Sequence, residues 1–195
     1  MLGVFLDTET NGLDFSVHKV IDIAYFIIDL DTGKELGMFN SLIRISESDW
    51  ENSLPESLEV NGFSYDELID GQELHEISSE IEEHFTSLGI KRGEAVFICQ
   101  NPSFDRNFFN GIISTKRQEE LQLPYHWLDL ASMYWALKVR ESGAIPPKEN
   151  RLSKDMIAHD LGIPPENRPH RAYNGAAHLL ACYEALIGFP NASNN

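Results

Sequence analysis

Apolar residues fall along this chain in short blocks of two kinds, separated by polar turns. Residues 2–6 form an apolar run that enters Asp7, which predicts a buried strand ending at that acid. Residues 20–30 (VIDIAYFIIDL) are rich in β-branched and aromatic side chains. They run into the turn Asp31-Thr32-Gly33, with 34–45 returning as a partner strand, so the two read as a hairpin. A second apolar run, Ala95–Cys99, enters Asn101, and 125–129 reads as a last short strand. Between these blocks the spacing becomes helical: Leu74, Ile77, Ile81 and Phe85 recur over 73–88, and Gly89 follows. Phe104, Phe108, Ile112 and Ile113 recur after Asn101-Pro102, where proline suits a first helical turn. One or two short helices are expected over 55–68, and further helices over 130–139, 152–161 and 172–187. Residues 141–150 read as a loop and 191–195 as a frayed tail. The order predicts an α/β domain over 1–190: a mixed sheet of about five strands with one antiparallel hairpin, flanked by helices.

Length and composition agree. The 195 residues are 42% hydrophobic, enough for a core and too apolar for a disordered chain. No stretch approaches the roughly 18 apolar residues of a membrane span. The first ten residues carry no basic segment and meet an acid at Asp7, unlike a signal peptide. Two cysteines, Cys99 and Cys182, make no disulfide framework, so a cytoplasmic setting is expected.

Charge changes the picture more. A formal charge of −16 argues against a nucleic-acid partner, since such proteins usually carry a basic face. The acidity is unevenly spread, however. Residues 1–90 hold 20 acids and 3 bases, whereas 91–195 hold 11 acids and 12 bases. The 13 acids between Glu47 and Glu83 read as a solvated face. The bases Arg106, Lys148, Arg151, Lys154, Arg168 and Arg171 lie in the second half, which can still meet a polyanion.

Three local patterns carry candidate chemistry. In V-F-L-D-T-E-T-N-G-L, residues 4–13, Asp7 and Glu9 stand two apart on a strand and point to one side. Strand ends are where α/β sheets bind ligands, and two converging carboxylates suit a hard cation such as Mg²⁺ or Mn²⁺. Read alone, the pair is as well explained by two acids at a solvated turn. In N-P-S-F-D, residues 101–105, Asp105 sits one turn into a helix and can face the same edge; read alone, it is an ordinary first-turn acid. In P-H-R-A-Y-N-G-A, residues 169–176, His170 precedes the last helix. Beside carboxylates and a metal a histidine can serve as general base; alone it reads as a capping or surface residue.

Together, and in this order, the three patterns resemble the DEDD superfamily of 3′–5′ exonucleases. The similarity is to its histidine branch, which includes the proofreading subunit of bacterial replicative polymerase, oligoribonuclease and RNase T. Residues 4–13 resemble its motif Asp-x-Glu-Thr-x-Gly-Leu, residues 101–105 its Asn-x-x-Phe-Asp, and His170-x-Ala172 the start of its His-x-Ala-x-x-Asp. The resemblance spans roughly residues 3–188 and implies an RNase H-like sheet. It also implies that Asp7, Glu9 and Asp105 bind two Mg²⁺ or Mn²⁺ ions, about 4 Å apart in such sites. His170 would activate a water, Thr10 would hold the terminal 3′-OH, Leu13 would wedge against the last base, and Asn101 would lie near substrate. The partner would be the 3′ end of single-stranded DNA or short RNA, and the products nucleoside 5′-monophosphates.

The chain departs from this pattern at one place. The fourth acid should stand five residues after His170, where Gly175 is found. Asn174 points about 100° away around the helix, and His178, one turn on, is a softer ligand. Two readings follow: an exonuclease whose activity the lost acid weakens, or a non-catalytic relative that binds nucleic-acid ends or a protein partner. The second expects Gly175→Asp to create or greatly raise activity. An aspartyl phosphatase is a remote third reading, since it wants a second Asp at Glu9. In either main reading the acidic chain should hold nucleic acid weakly, over a short footprint and with strong salt sensitivity.

Overall fold

The computed structural model describes residues 1–145 and 152–192. In chain order the elements are β1 (Leu2–Thr10), β2 (Val20–Asp29), β3 (Glu35–Leu42), α1 (Glu47–Glu51), α2 (Pro55–Asn61), α3 (Tyr65–Ile69) and α4 (Leu74–Leu88). They continue with β4 (Ala95–Cys99), α5 (Pro102–Ile112), α6 (Thr115–Glu120), β5 (Trp127–Asp129), α7 (Leu130–Ser142), α8 (Lys154–Asp160) and α9 (Ala172–Leu186). Five strands form one mixed sheet in the order β3-β2-β1-β4-β5. β1, β2 and β3 pair antiparallel, while β4 and β5 join parallel to β1. Strands from both halves of the chain therefore share one sheet, as the apolar blocks predict.

Each face of the sheet buries its own core. Val4, Leu6, Tyr25 and Phe97 pack against Ile77, Ile81 and Phe85 of α4 and Phe108 and Phe109 of α5. Phe5, Ala24 and Ile98 pack against Ile157 of α8 and Ala172, Ala176 and Leu179 of α9. The spacing of Ile77, Ile81 and Phe85 is what places all three on the buried side of α4, and Gly89, at φ 70°, closes that helix.

Three boundaries differ from expectation. β1 runs on to Thr10, because β2 continues to pair with it past Leu6. Asp7 and Glu9 therefore lie within the strand and not at its exit. The 55–68 region forms two helices as expected, but an unexpected α1, capped by the Ser46 hydroxyl, precedes them. α7 extends to Ser142 and ends at Gly143. Of the expected 141–150 loop, residues 146–150 lie outside the described residues, as do 193–195 of the expected tail. Asn191 is tied to Asp31 by its backbone N–H and its side-chain amide.

Candidate active site

β1 outruns its parallel neighbour. β2 pairs with it from Leu2 to Thr10, but β4 pairs only from Leu2 to Phe5. Beyond that point one edge of β1 is open. Side chains alternate across a strand. Phe5, Asp7 and Glu9 accordingly face α8 and α9, while Thr8 faces α5. Asp105 approaches from the α5 side, where the Thr8 hydroxyl donates to its Oδ1 at 2.9 Å. Asn101 starts α5 in a left-handed conformation (φ 57°) that asparagine tolerates, and its backbone N–H donates to Asp129 Oδ1 at 3.0 Å. Asp129 also caps α7 through the N–H groups of Ala131 and Ser132. The open edge thus gathers acids from both faces of the sheet.

Burial and mutual repulsion shape their protonation. Burial pushes Glu9 up to about 9, with the charges of Asp7 and Glu166 adding to it. Burial, then Asp7, pushes Asp105 up to about 8 against the Thr8 hydrogen bond. Asp7 is also raised by burial, and Lys154 opposes the rise. Such a cluster is held off its ordinary ionisation until a cation neutralises it.

A cation is built in. Lys154 Nζ lies 3.1 Å from Asp7 Oδ1, 2.9 Å from Glu166 Oε2 and 3.1 Å from the carbonyl of Gly175. Burial alone would depress this ammonium, but Asp7 and Glu166 outweigh it and hold it above the ordinary lysine value. The Glu166 side chain is 1% exposed and its other oxygen, Oε1, lies 3.1 Å from His170 Nδ1. These are ion-pair distances without well-aligned hydrogen bonds. The loop carrying Glu166 is anchored on both sides: the Glu166 N–H donates to Asp155 Oδ1, and Pro164 O lies 2.9 Å from His178 Nε2.

The structure supplies a physical reason for Gly175. It faces Asp7 directly, and a Cβ at that position would overlap the Asp7 carboxylate. Glycine costs helix stability relative to alanine. Here it allows strand and helix to approach closely enough for Lys154 to bind both. His178 packs on the Pro164 carbonyl instead of reaching the acids.

The other expected residues are placed as follows. The Thr10 hydroxyl donates to Gly12 O, and its carbonyl accepts from Asn61 Nδ2. Leu13 is 70% exposed, an apolar side chain projecting from the β1–β2 loop beside Phe15 and Val17. That loop is held by close packing: a Cβ on Gly12 would overlap the His18 ring. Asn101 is exposed at the start of α5. Three of the bases expected to meet a polyanion have other partners, Arg168 lying 3.9 Å from Asp155. Lys154 is consumed by the acids, and Arg171 binds Asn61 O and Glu67 while stacking 3.6 Å from the Phe63 ring centroid.

Among the described residues, one group of metal-type ligands has all its donor atoms within 4.8 Å of one another: Glu9, Glu166 and His170. This set differs from the expected Asp7, Glu9 and Asp105. Two carboxylates and an imidazole suit one divalent ion of the Mg²⁺, Mn²⁺ or Zn²⁺ kind. A second ion bound through Asp7 fits poorly, because the Lys154 ammonium already lies against Asp7.

An exonuclease family model matches residues 4–183. The chain belongs to the exonuclease family. This upholds the DEDD resemblance read from its three motifs. Among curated proteins no sequence matches. Solved structures share the fold at low identity. Exonuclease I of E. coli, in complex with a dT13 oligonucleotide, has a TM-score of 0.74 and 14% identity, with 95% of this chain and 41% of that one covered. Exonuclease I of Methylocaldum szegediense has a TM-score of 0.74 and 17% identity, with 94% and 40% covered. Cell-death related nuclease 4 has a TM-score of 0.72 and 13% identity, with 95% and 63% covered. The chain therefore spans about two fifths of either exonuclease I. Family members depend on divalent metals, and no helix among the described residues is long and apolar enough to cross a membrane.

The sequence reading misses Glu166 and Asp22, and it takes Lys154 for a base that meets a polyanion. An acid four residues before a motif histidine was the only local mark of Glu166. Asp22, paired in register with Glu9, reaches across to accept the Ala172 N–H at 2.8 Å and so caps α9, whose own N-cap residue, Arg171, offers no side-chain bond. Burial pushes Asp22 up to about 6 despite that hydrogen bond. Asp22→Ala should cost about 1–2 kcal/mol of unfolding free energy in urea melts. An unchanged midpoint would remove its capping role.

Proposed function

We propose that this exonuclease-family chain hydrolyses phosphodiester bonds at the 3′ end of single-stranded DNA or short RNA and releases nucleoside 5′-monophosphates. The carrying observation is the convergence of Asp7, Glu9, Asp105 and the Glu166–His170 pair at the open edge of β1. The oligonucleotide complex of the structurally similar E. coli exonuclease I supports a single-stranded substrate. Glu9 and Glu166 would hold a divalent ion, Mg²⁺ or Mn²⁺, which when bound supplies positive charge for the scissile phosphate and its attacking water. His170, whose Nδ1 lies beside Glu166 Oε1, would take the water's proton. Leu13 offers an apolar edge to the terminal base, and Asn101 stands exposed at the start of α5. The two buried free cysteines, Cys99 and Cys182, agree with a reducing, cytoplasmic setting.

The Lys154–Asp7 contact favours a second reading, a binder of 3′ ends without turnover. One assay separates the two. A 5′-labelled oligonucleotide of DNA or RNA, incubated with Mn²⁺ or Mg²⁺, should shorten from its 3′ end one nucleotide at a time. Asp7→Ala should lose this by at least about 100-fold. Equal rates for wild type and Asp7→Ala, or binding without shortening, would overturn the nuclease reading.

A further inference from the structure

Lys154 opens α8, where an ammonium is disfavoured by the positive end of the helix. Its side chain is nevertheless only 12% exposed. It turns inward to contact three oxygens from three elements: Asp7 of β1, Glu166 of the loop before α9, and the Gly175 carbonyl of α9. Ammonium placement among converging oxygens is what a bound cation would otherwise satisfy. The missing carboxylate at Gly175 completes the exchange. The family pattern puts a negative ligand there, whereas this chain has a bare backbone carbonyl facing a fixed positive charge.

We propose that the Lys154 ammonium is a tethered cation standing in for one of the two divalent ions, so that the chain loads a single ion on the side of Glu9. This rests on the reading that the acids bind metal, and it deepens that reading by fixing the ion count. Glu166 has two tasks in this arrangement: one oxygen holds the ammonium and the other lies on His170. The substitution keeps the positive charge near Asp7 whatever the metal supply.

The test is the number of Mn²⁺ ions bound per chain, measured by calorimetry and by the electron spin resonance of free Mn²⁺. Wild type and Lys154→Arg should bind one. Lys154→Met should bind a second ion, or bind the first at least about tenfold more tightly, because a positive charge has left the site. The metal-free Lys154→Met protein should also melt at a lower temperature than wild type and recover more of it on Mn²⁺ addition. A merely structural lysine would give a loss that Mn²⁺ does not restore. Two ions or none in wild type overturns the proposal, and so does an unchanged count and affinity in Lys154→Met. If Lys154→Met does not fold, the wild-type and Lys154→Arg counts still decide. Hydrolysis is followed on the same preparations. One ion without cleavage removes the nuclease reading and leaves the ion count standing; two ions with cleavage does the reverse.

Discussion

Gly175→Asp, the substitution that rebuilds the family's fourth acid, should not raise activity; it should abolish it and destabilise the fold. The reason is steric before it is electrostatic. Any Cβ at residue 175 enters the space of the Asp7 carboxylate. Asp7 cannot simply retreat, because its backbone is fixed in the sheet between Leu6 and Thr8 and its Oδ1 is bound by Lys154. Gly175→Ala isolates the steric part. Helix propensity alone predicts a gain of about 1 kcal/mol for that change. Overpacking of this kind costs about 1–3 kcal/mol, so a net loss is expected in denaturant melts. Gly175→Asp adds a further buried carboxylate to acids that burial and repulsion already hold off their ordinary ionisation. Its loss should exceed that of alanine. A Gly175→Asp protein with wild-type stability and faster hydrolysis would show that Asp7 moves freely, and the close approach of β1 and α9 would lose its meaning.

Glu166 carries the second large effect, at a position to which the family pattern assigns nothing. Glu166→Ala strips one buried ammonium and one imidazole of their partner. Removing one member of a buried ion pair typically costs about 3–5 kcal/mol. Hydrolysis should fall by about 100-fold or more, because His170 loses the carboxylate beside it and the ion loses one of its expected ligands. Glu166→Gln keeps shape and separates packing from charge: stability should return only in part, because Lys154 still lacks one of its two anions, and hydrolysis should stay well below wild type. If Glu166→Gln leaves the rate unchanged, the carboxylate is a support for Lys154 alone.

The frame of the molecule was legible because it is written in local composition. The β-branched run 20–30, the apolar Ala95–Cys99 and the spacing of Ile77, Ile81 and Phe85 each announce their element without help from elsewhere. Asp7, Glu9, Asp105 and His170 were legible as a set because three motifs occur in order. What stayed hidden was tertiary. Lys154 looked like one of several bases suited to a polyanion, and only folding brings it to an acid 147 positions earlier. Gly175 looked like a lost ligand because the sequence cannot display the carboxylate that occupies its missing side chain's space. The apolar run marks an end for β1 at Asp7, where polar residues begin, yet pairing with β2 carries the strand on to Thr10. α6 was missed although Ser114 offers its cap, since six residues show too little periodicity to declare a face.

The separation of these parts along the chain gives the close pairing of β1 and α9 a kinetic meaning. β1 sits at the centre of the sheet, and its acids meet Lys154, Glu166 and α9 only across a long stretch of intervening chain. Contacts that span the chain form late and slowly. Until then Asp7 and Glu9 remain hydrated, ordinary carboxylates, scattered from their partners and unable to organise a reaction. The acids acquire their unusual environment in the same event that docks the final helix. The burial that gives these carboxylates their raised protonation therefore belongs to the docked pair of β1 and α9 and to neither element alone.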